Sequence, residues 1–184
     1  MKFNKHFEIE GRHAFLSPSQ YHWVNYDEEK LTDRFYSFDA KERGSRLHAL
    51  ASECIKLNVK LSKSKTALNR FVNDAIGYKM ESEVPLYFSQ NCFGTADAIS
   101  FRKNVLRIHD LKTGLTPASM IQLEIYAALF CLEYEFDPHD ITIELRIYQS
   151  DDVAELSPEP DAISDLMDKI IYFDKILNDL RIDE

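Results

Sequence analysis

The pair Lys103-Asn104 constrains this chain more than any other feature, because it lies between two segments that read as strands, Phe93–Phe101 and Val105–Lys112. If those two residues form a tight turn, Arg102 faces Val105 and the numbers of paired residues sum to 207. Asp97 then faces Asp110 across the hairpin, with Cβ atoms roughly 5 Å apart. Side chains alternate along a strand, so Asp110 and Lys112 share one face and His109 points to the other. Two carboxylates held that close repel each other and lower stability. A divalent cation between them converts the repulsion into a binding site, and Lys112 can stabilise a nearby anion. Two acids, a lysine and a metal are the parts of a phosphodiester-cleaving centre.

The remaining elements follow from periodicity and punctuation. Ser17 as cap and Pro18 at a first helical position predict a helix start within Leu16–Val24. A polar, charged stretch follows from Asn25 to about Ala40. Residues 42–59 then read as a helix, with Leu47, Leu50, Ala51, Cys54, Ile55 and Leu57 near helical spacing. A second helix is expected over 64–77, a short strand over Val84–Phe88 and a turn over Ser89–Cys92. Thr116–Tyr134 is the clearest helix, its stripe formed by Ala118, Ile121, Ile125, Ala128, Leu129 and Leu132. Ile141–Tyr148 alternates as a half-buried strand, and Asp161–Leu180 reads as a final amphipathic helix beyond the loop marked by Pro158 and Pro160. This order predicts an α/β fold, a central mixed sheet of about four strands flanked by helices, in one domain over residues 1–184. The link from Val105–Lys112 to Ile141–Tyr148 through the long helix is long enough for a crossover between parallel strands.

Composition narrows the function classes. No apolar run approaches the ~20 residues that span a bilayer, and Met1–Glu10 lacks the apolar core of a secretion signal, so no membrane role and a cytoplasmic location are expected. Cys54, Cys92 and Cys131 are scattered without a C-x-x-C pair, which predicts reduced, packed thiols and argues against a structural zinc or an iron–sulfur cluster. The net charge of −9 is unevenly spread: residues 1–80 balance at +4 and residues 81–184 at −13. Eight basic residues (Lys41, Arg43, Arg46, Lys56, Lys60, Lys63, Lys65, Arg70) lie within 41–70 against two acidic ones. They suit either phosphate contacts or a solvated helical face.

Four short motifs stand in order: Gly44-Ser-Arg-Leu-His48, Gly94-Thr-Ala-Asp97, Asp110-Leu-Lys112 with Thr113-Gly114, and Gln122-Leu-Glu-Ile-Tyr126. Together they resemble the PD-(D/E)XK nuclease superfamily, in its RecB-like and phage-exonuclease-like branch, over roughly residues 15–130. The Leu16-Ser-Pro-Ser19 opening is similar to the start of many related phage proteins. The resemblance implies a restriction-endonuclease-like domain binding one or two Mg²⁺ or Mn²⁺ ions, without the cluster cysteines of the CRISPR-associated and helicase-linked branches.

Carried onto this sequence, the resemblance makes Asp97 and Asp110 metal ligands, with the Leu111 carbonyl completing the coordination and His48 reaching the metal or the phosphate from its helix. Lys112 would orient or help deprotonate the attacking water and stabilise charge on the phosphate. Glu83 is the additional acid, with Glu81 as competitor, and Gln122 and Tyr126 share a helix face that positions DNA. The implied activity is metal-dependent deoxyribonuclease action, foremost as an exonuclease in phage or bacterial DNA recombination, repair or processing. A structure-selective endonuclease and a non-cleaving DNA- or protein-binding module stay as alternatives. DNA, single- or double-stranded, is the expected partner, and a recombination or helicase protein and self-association both remain open.

Overall fold

The computed structural model describes residues 7, 14–114 and 116–182. The chain divides into two compact units, residues 1–45 and 46–184. Most of Met1–Glu10, the stretch without a secretion signal's apolar core, lies outside the described residues.

In the first unit Ser17 precedes a 3-10 helix, Pro18–Asn25, with Pro18 at its start as expected. The expected cap does not form: the Ser17 hydroxyl pairs with that of Ser19 at 2.8 Å, and its carbonyl accepts from the Trp23 indole N–H at 2.9 Å. The stretch read as merely polar is helical, for α1 runs over Glu28–Lys56 and starts fourteen residues before position 42. Asp27 caps it, its carboxylate accepting from the Lys30 amide at 2.8 Å. Phe15 packs edge-on against Phe35 and beside Phe38, both on α1.

In the second unit the last turns of α1 precede α2 (Ala67–Gly77), β1 (Glu81–Ser89), β2 (Cys92–Arg102) and β3 (Val105–Lys112). Helix α3 (Ile121–Tyr134), β4 (Thr142–Gln149), β5 (Asp152–Leu156) and α4 (Pro160–Ile182) follow. The strands form one mixed sheet in the order β1-β2-β3-β4-β5, in which only the β3–β4 pair is parallel. The sheet therefore has five strands rather than about four. The missed one, β5, is a five-residue edge strand, too short and too acidic to alternate clearly, and Ser150 with φ 55° turns the chain into it.

Both faces of the sheet are covered. Leu106, Ile108, Ile143, Leu145 and Ile147 pack with Leu123, Ala127 and Ile163 of α3 and α4. On the opposite face Ala98, Leu111 and Tyr148 pack with Ala51, Cys54 and Ile55 of α1 and Phe71, Val72 and Ala75 of α2. Helix α3 begins five residues later than Thr116. Its inward face is also rotated from the expected stripe: Leu123, Ala127, Ala128, Leu129, Phe130 and Cys131 are buried, while Ile121 and Ile125 are exposed. A helix this apolar all round gives its sequence no phase to read. The three cysteines are free thiols, with Cys54 and Cys131 buried in opposite cores. Among the described residues no helix is long and apolar enough to cross a membrane.

Candidate functional site

The β2–β3 hairpin sets the site. Lys103 and Asn104 form its turn with φ 52° and 59°, the left-handed pair of a two-residue type I′ loop. Arg102 faces Val105 and Ala98 faces His109, so the register is the one the sequence predicts. The pairing stops there, one residue short of Asp97 and Asp110. There the ladder gives way to a side-chain contact, in which the Leu111 amide donates to Asp97 Oδ2 at 2.9 Å. The Leu111 contact seen at the site is thus through its amide, whereas the sequence reading assigned its carbonyl to a metal.

Helix α1 brings His48 to the same place. One turn beyond it, Ser52 is hydrogen-bonded to Ser82 of β1, hydroxyl to hydroxyl at 3.0 Å and Ser82 hydroxyl to Ser52 carbonyl at 3.3 Å. This buried clasp pins α1 over β1 beside Glu83, the neighbour of Ser82. His48 Nδ1 lies 3.3 Å from Asp97 Oδ2, and one ligand atom from each of His48, Glu83 and Asp97 falls within 4.8 Å of the others. Glu83, not Glu81, is the acid that joins the cluster.

Glu83 reaches it at a conformational cost. Its φ of 54° is left-handed, in the middle of a strand where its neighbours pair normally as Ser82–Ala98 and Val84–Ala96. A non-glycine residue in that region costs about 1–3 kcal/mol and persists only where its surroundings impose it. The distortion also marks a change of face on β2, for Ala96 belongs to one core and Ala98 to the other.

Asp110 completes the acidic side. It is 4% exposed, and Lys112 Nζ lies 3.1 Å from Oδ1 and 3.0 Å from Oδ2. The Oδ2 atom nevertheless has no hydrogen bond. Burial, and then the neighbouring Asp97 charge, push the Asp110 carboxyl above its ordinary pKa, opposed by Lys112. The hydrogen bond to Asp97 raises His48 above the ordinary imidazole value against the effect of burial.

Helix α3 supplies the outer wall. Gln122 Oε1 accepts from Lys112 Nζ at 2.8 Å, and the Gln122 amide nitrogen lies 3.5 Å from the Tyr126 hydroxyl. Gly94 makes room for that tyrosine: a Cβ on Gly94 would lie 2.8 Å from Tyr126 Cε1. Behind the site, the segment after Lys112 is tied down by Gln149 of β4. Its amide nitrogen donates to the carbonyls of Gly114 and Thr116 at 2.6 and 2.7 Å, and its oxygen accepts from the Ala118 amide at 3.2 Å. Gln149, Ser52 and Ser82 carry no motif signal, and sequence reasoning missed all three.

His109 lies on the other side of the sheet, as the alternation requires. It is fully buried between Tyr78 and Tyr148, and burial followed by Arg146 and Arg107 lowers its pKa to about 3. Lys56, Lys60, Lys63 and Lys65 are exposed along the end of α1 and the connection to α2.

The donor set fits a hard divalent cation: carboxylate oxygens and one imidazole nitrogen, beside the buried Asp110 carboxylate that Lys112 pairs. No family model matches the sequence, and no curated protein does. Among solved structures, one described as "Crystal structure of SSO0001" is similar at 14% identity, covering 83% of this chain and 69% of that chain, with a TM-score of 0.37. That likeness carries no argument about family or activity. The chain is thus an α/β protein with a five-stranded mixed sheet and a histidine–carboxylate cluster drawn from α1, β1 and β2.

Proposed function

We propose that this chain is a metal-dependent deoxyribonuclease with a PD-(D/E)XK core of the RecB-like and phage-exonuclease-like kind. One observation carries the reading. Four sequence motifs that are separate along the chain supply His48, Asp97, the Asp110–Lys112 pair and Gln122, joined in series by contacts of 2.8–3.3 Å, with Asp97 reaching the third motif through the Leu111 amide.

His48, Glu83 and Asp97 would hold Mg²⁺ or Mn²⁺, with Asp110 alongside. Such an ion supplies Lewis-acid polarisation of a phosphoryl oxygen and neutralises charge as the phosphodiester is attacked. The protein groups divide the remaining work. Lys112 Nζ donates to both Asp110 and Gln122, which makes it a donor in the site. It stabilises negative charge growing on the phosphate, and Gln122 fixes its direction. Asp110, buried beside Asp97 and held by Lys112, would lie next to the ion and add negative charge to its surroundings.

The experiment is incubation of end-labelled linear DNA and covalently closed circular DNA with Mg²⁺, Mn²⁺ or EDTA. Ion-dependent degradation of the linear substrate is expected, abolished in Asp110→Asn and Lys112→Met. Nicking of the closed circle would make the enzyme an endonuclease. Turnover that survives both substitutions, or no turnover with either ion, overturns the reading.

A further inference from the structure

The outward side of the β1–β2 hairpin carries two aromatic rings that belong to neither core. Tyr87 and Phe93 face each other across the strands, ring centroids 6.3 Å apart and planes within 27°. They are 54% and 67% exposed. A cross-strand aromatic pair stabilises a hairpin in its own right, yet these two rings also leave much of their surface open to solvent. Here the rings close the end of a solvent-facing strip formed by Tyr87, Pro85 and Glu83 on β1 and by Phe93, Thr95 and Asp97 on β2. The inward-pointing Leu86 and Ala96 alternate with them into the core.

The strip runs straight from the aromatic pair to the carboxylate cluster. Asp97 lies four positions beyond Phe93, about 13 Å along a strand. An extended single strand rises roughly twice the 3.4 Å of a duplex per nucleotide, so this span holds about two nucleotides. Thr95, exposed midway, offers a hydroxyl to a backbone phosphate. Neither β1 nor β2 places a lysine or arginine on the strip. On the rim, Glu133 is engaged by the Tyr87 amide, which donates to its carboxylate at 2.8 Å. Attraction at this end of the strip must therefore come from ring faces rather than charge.

We propose that Tyr87 and Phe93 form a stacking platform for unpaired bases, and that the substrate engaged on this strip is single-stranded nucleic acid whose bases lie about two nucleotides from the cut. Every base has a π-face that an exposed ring can cover, whereas a duplex keeps those faces stacked inside. The proposal rests on the nuclease reading only for what happens at the carboxylate end of the strip.

The test measures binding and cleavage on the same oligonucleotide. Fluorescence anisotropy of labelled dT12 and of a 12-base-pair duplex is followed in EDTA with the full chain and with Tyr87→Ala/Phe93→Ala. A second variant, Phe93→Leu, keeps apolar bulk without a flat ring and preserves the hairpin should the double variant unfold. Both are checked by circular dichroism. The expected result is roughly tenfold or greater weakening of dT12 binding for each ring removed, with duplex binding unchanged. The stacking contribution should also hold nearly constant from low to high salt, unlike a contribution from phosphate contacts.

Phe93→Leu that binds dT12 like the native chain, or equal losses on duplex and single strand, overturns the platform. Cleavage with Mn²⁺ separates the two claims. A chain that cleaves DNA yet binds dT12 independently of both rings loses the platform and keeps the nuclease. One that binds dT12 through the rings and never cleaves keeps the platform and loses the nuclease. A chain that does neither loses both.

Discussion

Gly94 and Tyr126 lock together across the β2–α3 boundary: the space a Gly94 Cβ would need is taken by the tyrosine ring, 2.8 Å away at Cε1. The two residues come from different motifs, and each explains the other. Gly94→Ala should push Tyr126, and with it Gln122, away from Lys112. The expected outcome is a drop in DNA cleavage of about tenfold or more from misplaced groups, with a stability loss of about 1–3 kcal/mol from overpacking. A double-mutant cycle with Tyr126→Ala checks the cause. In the Tyr126→Ala background the added methyl should cost almost no stability.

Glu83 shows strain held at the site. With φ at 54°, the backbone there suits glycine better than glutamate. Glu83→Gly should therefore leave the melting temperature unchanged or raise it, with a gain of up to about 1 kcal/mol, while weakening Mn²⁺ binding. Differential scanning calorimetry with and without Mn²⁺ reads both effects. Destabilisation of several degrees without metal would show that the carboxylate, rather than strain, dominates at this position.

The parts of the site legible in the sequence were those fixed by local rules. Two residues of turn, Lys103-Asn104, set the register that pairs Arg102 with Val105 and Ala98 with His109, and strand alternation turns His109 away from Asp110 and Lys112. The Ser52–Ser82 clasp and the Gln149 anchor join residues 30 and about as many positions apart through ordinary polar side chains, and no spacing announces them. Glu83 was separable from Glu81 only once the strand's left-handed step was visible. In the fold, the start of α1 is masked because Glu28 to Ala40 is dense in charge and hides the apolar Leu31, Phe35 and Phe38 that lie at helical spacing, and β5 escapes because an edge strand of five residues has almost no alternation to show.

Lys112 is the cation beside a nearly buried carboxylate. Lys112→Met should leave Asp110 charged without a partner, or force it to take up a proton. Removing one member of a buried pair costs about 3–5 kcal/mol, and the 29% exposure of Lys112 places the expected loss at the lower end. Lys112→Met/Asp110→Asn removes the charge as well and should recover most of that stability. Urea denaturation at neutral pH measures both. A double variant no more stable than the single one would mean that Lys112 acts through packing instead.

Metal binding should be visible without any substrate. A ligand that binds only the folded chain stabilises it by RT ln(1 + [L]/Kd), about 2.7 kcal/mol at a hundredfold excess over Kd. Mn²⁺ is thus expected to raise the melting temperature of the native chain by several degrees. The shift should vanish in Asp97→Asn and fall in His48→Ala, because each loses one of the clustered ligand atoms. Substituting Glu81, which lies outside the cluster, should leave the shift intact.

His139 gives a pH dependence remote from the site. It sits between two carboxylates, Nδ1 2.9 Å from Asp137 and Nε2 3.0 Å from Asp161, and joins the turn before β4 to the first turn of α4. The hydrogen bond to Asp137, and then that to Asp161, raise its pKa above 6.5 in the folded chain. A raised histidine binds its proton more tightly folded than unfolded, so its stabilisation is complete below the unfolded pKa and disappears as pH rises through the folded one. The native chain should therefore be more stable than His139→Gln at pH 6, with the difference shrinking steadily toward pH 9. Melting curves of the two proteins across that range decide it, and a constant difference would show that the imidazole contributes through its shape rather than its charge.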